Sequence, residues 1–201
     1  VVPPRGAADP VRGFDTGPGC AVIDGVVRAL APQLPYDVDG ALAARGTPVR
    51  SVVDALLDDP FFSQEPPKST GRELFDRAYI ERVVARCAAA GSPSAADAVA
   101  TAVSLTARSI ALAYRRFVRE PVREVVLSGG GARNPALVRA IGAELAPVPV
   151  RRFDELFFDG DAKEAVAFAL LGWLHLARRP GNVPSVTGAR GPRVLGTLTP
   201  A

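Results

Sequence analysis

The chain has 201 residues, of which 48% are hydrophobic and 22% are charged, and its formal net charge at pH 7 is +3. These proportions are ordinary for a globular protein. Because the net charge is modest and no basic run reaches five residues, we expect no nucleic-acid partner. The longest apolar run covers residues 165–177. It is too short to span a bilayer, and we therefore expect no membrane partner.

The residue types that are rare in this sequence are also informative. Cys20 and Cys87 have no metal-binding or redox spacing, which indicates a reduced, cytoplasmic chain. The sequence contains no methionine, and because a complete translation product normally begins with one, we expect a C-terminal fragment or a processed chain. Only two of the 24 basic residues are lysines, Lys68 and Lys163. This excess of arginine is typical of a genomic composition bias, and a residue that stands against the bias either points to a site or occurs by chance.

The first half of the chain combines one strand signal with several helix signals. Val11–Asp15 is predicted to be a short strand. The box Ser94-x-x-Asp97 is typical of a helix start, and Gly91 is predicted to end the preceding helix. Apolar spacing predicts helices over residues 19–31, 49–59, 77–90 and 95–118.

The second half predicts strands that alternate with helices. A buried strand, Val122–Leu127, leads into a glycine turn, and Gly160-Asp161 opens another helix. The Gly- and Pro-rich tail from residue 179 predicts an ordered surface loop. The remaining signals predict a helix over residues 134–145, a strand over 148–153 and a helix over 162–177. The class is therefore α/β with a mainly parallel sheet.

The strongest local motif is the glycine turn "VVLSGGGARN". A strand followed by successive glycines and a helix start can bring backbone N–H groups close to phosphate. The dinucleotide fingerprint is not met, because Asn134 stands where a third glycine belongs, and the P-loop ending is absent. The alternative is a tight turn with Asn134 as the helix N-cap before Pro135.

Two further segments carry polar groups that could bind a ligand. In "PPKSTGRELF", Lys68, Ser69, Thr70 and Arg72 surround a glycine, and such a loop can hold an anionic or polyhydroxylated ligand. The alternative is a capped helix start with Glu73 in its first turn. In "GDAKEA" two acids lie in the first turn of a helix, where they either offset the helix dipole or serve a site.

Other polar and aromatic residues have structural interpretations. "PYDVDG" lacks the bidentate Glu of a calcium loop, so a turn is expected there. His175 and Trp173 lie in the apolar helix over residues 162–177, and we expect both, with the Phe residues, to pack in the core.

Six motifs, taken together and in order, resemble the anhydro-N-acetylmuramic acid kinase family. The similarity runs from Val11 to about Leu198 and corresponds to the C-terminal half of that family. One departure is Cys20, where the family commonly has Asn. The motifs are "GFDTGPG", "PYDVDGALAARG", "PPKSTGRELF", "SGGGARNP", "GDAKEAVAFALL" and "PGNVPSVTGA".

The resemblance implies an actin/hexokinase-like (ribonuclease H-like) sugar kinase fold, of which this chain is the second of two domains, truncated at its N-terminal strands. Residues 1–10 are then the stub of a preceding strand and loop, and residues 179–201 a C-terminal loop. Residues 11–178 form the α/β core, with a helical insertion at about 35–118. The implied reaction uses ATP with Mg²⁺, water opens the 1,6-anhydro ring, and O6 takes the γ-phosphoryl group. The product is N-acetylmuramic acid 6-phosphate, in cell-wall recycling, and a homodimer is implied for the full-length protein.

The resemblance also implies roles for residues. Asp15, the acid of "FDTGPG", corresponds to the family's general base on the attacking water. An acid at a strand end would point into the crevice where α/β sheets bind ligands, whereas the alternative is that Asp15 caps the helix beginning near Pro18. We expect nucleotide contacts from Gly129, Gly130, Gly131 and Asn134. We expect sugar contacts from Thr16, Gly17, Lys68, Ser69, Thr70, Arg72, Asp161 and Glu164.

Nothing in the sequence matches the family's N-terminal phosphate loop, "GTS-x-DG". The chain expressed alone is therefore expected to be inactive and poorly folded. A kinase for another sugar and a non-catalytic sugar- or nucleotide-binding module of the same fold remain alternatives. Reading the coding sequence upstream of Val1 for that loop discriminates between the enzyme and the module.

Overall fold

A computed structural model describes residues 1–71, 73–91 and 94–199. It divides into two compact units. The larger unit comprises Asp15–Leu156, and the smaller unit combines Val1–Phe14 with Phe157–Ala201.

The larger unit is built mainly of helices. The predicted helices form close to their expected positions. Asn134 is the N-cap of the helix Pro135–Leu145, where its side chain accepts a hydrogen bond from Leu137 N–H. The helices are α1 (Cys20–Leu30), α2 (Arg50–Leu57), α3 (Pro60–Ser63), α4 (Arg77–Ala89), α5 (Ala95–Phe117) and α6 (Pro135–Leu145).

A short parallel sheet accompanies these helices. Strands β1 (Val125–Leu127) and β2 (Val150–Arg152) pair in parallel, with Val125 opposite Val150. The α/β class with a parallel sheet is therefore confirmed. The strand predicted over Val122–Leu127 is shorter than expected, because β2 offers it only three residues with which to pair.

The strand predicted at Val11–Asp15 is not formed, and this prediction was wrong. The segment has no regular secondary structure. Its backbone bonds scatter over different partners: Arg12 N–H donates to Val1 O, whereas Asp15 N–H donates to Lys68 O. Without a neighbouring strand to accept successive bonds, the apolar pattern alone does not make a strand.

Helix α5 is the centre of the larger unit. Ser94 caps it by accepting a hydrogen bond from Asp97 N–H, as the sequence predicted. The helix is long and apolar enough to cross a membrane by length and composition alone, a test that core helices of soluble proteins also pass, and most of it is buried here. The buried residues of α5 are Ala98, Val99, Ala100, Thr101, Ala102, Val103, Leu105, Thr106, Ala107, Ser109, Ala111 and Ala113.

The segment before α2 lies directly against the first turns of α5. Thr47 N–H donates to Asp97 Oδ1 at 2.6 Å, and Val49 N–H donates to Thr101 Oγ1 at 3.0 Å. A side chain on Gly46 would overlap the backbone at Ala96. This glycine therefore allows one backbone to approach another.

The smaller unit contains α7 (Lys163–Leu176) and α8 (Pro184–Thr187). The tail from residue 179 was predicted to be a loop, and α8 is a short helical addition to it. Helix α7 has no buried residue, and Trp173 is 53% exposed. His175 is half-buried and hydrogen-bonds through Nδ1 to Leu195 O.

The prediction that Trp173, His175 and every Phe pack in the core was therefore wrong for this unit. Phe157, Phe158 and Phe168 are exposed as well. Helix α7 is apolar on all sides, so covering it completely would take elements on several faces. By contrast, Phe61, Phe62 and Phe75 of the larger unit are buried, and their rings contact one another.

We expect Gly46→Ala to destabilise the larger unit by about 1–3 kcal/mol, because the new methyl group overpacks the contact with Ala96. Chemical denaturation of the chain measures this change. The control is Gly142→Ala in α6, where no atom lies within 4 Å of the new methyl group. Since alanine favours helix, this control should be neutral or stabilising by about 0.5–1 kcal/mol. Equal effects of the two substitutions would contradict the close contact at Gly46.

Candidate functional site

The carboxylate of Asp15 is held by the loop that follows α3. Asp15 Oδ2 accepts hydrogen bonds from Ser69 Oγ at 2.9 Å and from Thr70 N–H at 2.8 Å. The backbone N–H of Asp15 donates to Lys68 O at 3.1 Å. In the described part of the chain, no donor is bonded to Oδ1. One oxygen is thus fixed and the other can accept a proton.

The structure removes the alternative that Asp15 caps a helix. Helix α1 begins at Cys20, after Gly19 as its N-cap, and no side chain accepts a hydrogen bond at that cap. The carboxylate instead contacts residues more than fifty positions away in the sequence. Its position is therefore set by tertiary contacts.

Lys68 lies inside the protein. Its side chain is only 6% exposed, and Nζ donates to Phe61 O at 2.9 Å. The ammonium lies 4.5 Å from the ring centroid of Phe61 and 5.0 Å from that of Phe117. Burial, and then the charge of Arg116, lower the pKa of Lys68 from its usual value.

The ammonium of Lys68 is thus bonded within the protein, and the sugar contact expected of this residue stays a prediction. Ser69 is exposed, and Thr70 is half-buried, with a hydroxyl that has no hydrogen-bond partner among the described residues. These two residues remain beside Asp15 as candidates for contact with a ligand. Arg72, the fourth predicted residue of this loop, lies outside the described residues.

Helix α5 supports the turn that follows Asp15. A side chain on Gly17 would lie 2.5 Å from Ser109 Oγ, so the glycine is needed for the turn to pack here. Thr106 Oγ1 donates to Gly19 O at 2.9 Å. Thr16 lies between Asp15 and Gly17 in the sequence and is half-buried. Sequence reasoning missed Thr106 and Ser109, although small polar residues three apart on an apolar helix are a usable signal.

The glycine turn lies beside the start of α1. Gly129 has φ of +84°, which favours glycine, and no atom lies within 4 Å of a side chain built on Gly129 or Gly130. A side chain on Gly131 would lie 3.0 Å from Cys20 Sγ. The turns "GPGC" and "GGGARN" therefore pack together in the larger unit, and Gly129 and Gly130 face open space.

Asn134 and the "PYDVDG" turn have structural roles near this position. Asn134 caps α6, which was the structural alternative for this residue. Asp37 is buried, and its carboxylate accepts hydrogen bonds from Leu42 N–H and Ala43 N–H, as expected for a turn. A side chain on Gly40 would overlap Asn134 Oδ1, so the turn packs against the start of α6.

The two predicted acids of "GDAKEA" belong to the smaller unit. Asp161 N–H donates to Asp159 Oδ1 at 3.0 Å, and Asp159 is thus a cap that the sequence analysis missed. Glu164 is exposed in the first turn of α7. Asp15 belongs to the larger unit, and the roles expected for these two acids stay predictions.

A separate open groove of about 650 Å³ lies among α2, α5 and α6. Two ion pairs flank it, Arg108–Asp54 at 2.6 Å and Arg115–Glu144 at 3.5 Å. Its lining includes none of the predicted site residues. The candidate site therefore rests on the contacts of Asp15 and not on this groove.

Comparisons with known proteins point to the same family as the six sequence motifs. The family model for anhydro-N-acetylmuramic acid kinase matches residues 2–201. Proteins named anhydro-N-acetylmuramic acid kinase from a Cyanothece species, Gloeobacter violaceus and Streptomyces avermitilis are each 46% identical, over 94%, 98% and 93% of this chain. The chain spans about half the length of these relatives. It belongs to the anhydro-N-acetylmuramic acid kinase family.

Proposed function

We propose that the chain forms part of an ATP-dependent kinase that opens 1,6-anhydro-N-acetylmuramic acid with water and phosphorylates O6. The observation that carries this proposal is the geometry of Asp15, whose Oδ2 accepts from two donors while Oδ1 has no donor among the described residues. Membership of the family supplies the reaction class.

In the proposed reaction, Asp15 Oδ1 takes a proton from a water molecule. The water oxygen forms a bond to the anomeric carbon C1 as the C1–O6 bond breaks. The released O6 then attacks the γ-phosphorus of ATP, and ADP leaves. The products are N-acetylmuramic acid 6-phosphate, ADP and the proton held by Asp15, so that atoms and charge balance.

The arrangement of Asp15 suits a general base. Ser69 Oγ and Thr70 N–H both donate to the same oxygen, which fixes the plane of the carboxylate and aims the other oxygen. Fixed orientation of a base contributes to rate because the reacting atoms are already in place. The exposed Ser69 and the half-buried Thr16 lie beside it and are proposed to contact the sugar.

The glycine turn is proposed to contact ATP. Open space around Gly129 and Gly130 would let the backbone approach the nucleotide, and Gly131 fixes the turn against Cys20. Asn134 fixes the start of α6 through its side-chain oxygen, and its amide nitrogen is proposed to contact the nucleotide.

Mg²⁺ is proposed to arrive with ATP. Among the described residues there is no group of three or more His, Cys, Asp or Glu that could hold a metal. Mg²⁺ in kinases is held largely by phosphate oxygens and water, with one or two carboxylates. Asp15 is accordingly assigned to water and sugar in this proposal.

The wider assignments follow the family and are part of the proposal. They are an actin/hexokinase-like fold with this chain in the second domain, a core over residues 11–178, and a homodimer in the cytoplasm. Asp161 and Glu164 are proposed, from the resemblance to the family, as sugar contacts. Because the chain spans about half of its relatives, kinetic measurements require a protein that contains this chain at the relatives' full length.

We expect Asp15→Asn to lower kcat by about 10²–10⁴-fold, because the base is lost. Asparagine retains an oxygen that can accept from Ser69 and Thr70, so the melting temperature should stay close to that of the wild type. ATP affinity should also stay nearly unchanged, since Asp15 serves water and sugar. Steady-state phosphorylation of the anhydro sugar measures this. Turnover within about threefold of the wild type would contradict the general-base role.

We expect Gly130→Val to weaken ATP binding by about tenfold or more while the fold is kept. No protein atom lies within 4 Å of the new Cβ, so the substitution fills only the space proposed for the nucleotide. The control is Gly142→Val in α6, which also has no neighbour within 4 Å. Isothermal titration calorimetry measures the affinity. Unchanged ATP binding with a normal melting curve would show that the glycines serve only the turn.

A further inference from the structure

We infer that Lys68 is a positioning residue for Asp15: its buried ammonium anchors the loop whose next two residues hold the carboxylate, and it does not touch the substrate. This inference rests on the proposed function of Asp15. It is drawn from two neighbouring features: a buried ammonium held between two aromatic rings, and three consecutive residues that all bond to Asp15.

The ammonium of Lys68 is anchored inside the larger unit. Nζ of Lys68 donates to Phe61 O at 2.9 Å and lies over the rings of Phe61 and Phe117. A buried ammonium is costly unless it is compensated. Here the carbonyl dipole and the two ring faces supply that compensation, so the position of the charge within this pocket is well defined.

The loop that carries Lys68 bonds directly to Asp15. The carbonyl of Lys68 accepts from Asp15 N–H, Ser69 Oγ donates to Asp15 Oδ2, and Thr70 N–H donates to the same oxygen. Three adjacent residues thus fix both the backbone and the side chain of the acid. A displacement of the Lys68 anchor would move all three contacts together.

The ammonium of Lys68 faces the protein interior and is not placed to contact a ligand. The Lys68 side chain is 6% exposed, and its charged end points to the carbonyl of Phe61 and between two rings. The lowered pKa of Lys68, caused by burial and by Arg116, agrees with a cation held away from water. Its effect on catalysis must therefore pass through the loop.

General-base catalysis is sensitive to the position of the base. A misplacement of about 1 Å can cost on the order of 10²-fold in rate. Methionine can fill most of the volume of the lysine stem but cannot donate to Phe61 O. Lys68→Met therefore tests the anchoring bond and charge, with less change in packing than alanine would make.

The test is a double-mutant cycle of Lys68→Met and Asp15→Asn in full-length protein, read by kcat, KM and melting temperature. With Asp15 present, we expect Lys68→Met to lower kcat by about 10–100-fold and to leave the KM for ATP within about twofold. With Asp15→Asn already present, Lys68→Met should change the residual turnover by less than about twofold, because coupled residues are not additive.

The matched control is Arg82→Met. Its guanidinium lies 4.6 Å from the ring centroid of Tyr79 on α4, so this variant also removes a cation from an aromatic ring of the larger unit. We expect its kcat to match that of the wild type in both backgrounds. If Lys68→Met does not fold, Phe117→Leu replaces it in the cycle, since it removes one ring from the cation and keeps an apolar side chain. A kcat loss of about threefold that disappears with Asp15→Asn would then be expected.

Three results would overturn the inference. Equal fold losses from Lys68→Met in both backgrounds would show a general packing effect. Unchanged kcat in Lys68→Met would show that the anchor is not needed. A raised KM for the sugar with unchanged kcat would indicate direct substrate contact. If Asp15→Asn itself keeps full turnover, the proposed function of Asp15 fails, and the inference fails with it.

Discussion

Close packing against the small side chains of α5 is the constraint on which the larger unit depends. Most of its buried residues are alanine, serine or threonine, so neighbouring backbones can approach it. The segment before α2 bonds to its first turns through Asp97 and Thr101. Further along, Thr106 bonds to Gly19 and Ser109 leaves room only for a glycine at position 17. One helix thereby supports the turn after Asp15 and orders the elements around it.

The candidate site combines that support with a second anchor. The turn after Asp15 is held by α5, whereas the carboxylate itself is held by Ser69 and Thr70. Lys68 ties the latter loop to the aromatic cluster around Phe61. The acid is thus fixed from two sides by parts of the chain that are distant in sequence, which is the kind of support a catalytic group needs. The glycine turn packs against the start of α1 through Gly131 and Cys20.

Local signals in the sequence predicted the helices, because spacing and caps such as Ser94 and Asn134 act within a few residues. They did not predict the fate of Val11–Asp15, since a strand needs a partner that the pattern cannot show. The sequence also did not predict the burial of Lys68, because Phe117, which contacts its ammonium, lies far along the chain. The resemblance pointed to Asp15, but only the structure shows that Oδ2 is bonded and that the acid is not a helix cap.

The central claim is that Asp15 faces the water that opens the sugar ring. The most direct measurement is a crystal structure of full-length Asp15→Asn protein with the anhydro sugar and a non-hydrolysable ATP analogue. The account predicts a water within about 2.6–3.2 Å of the residue 15 side chain and about 3–3.5 Å from C1, opposite the C1–O6 bond. A sugar bound out of reach of this side chain, or a residue 15 side chain turned towards the phosphates, would contradict it.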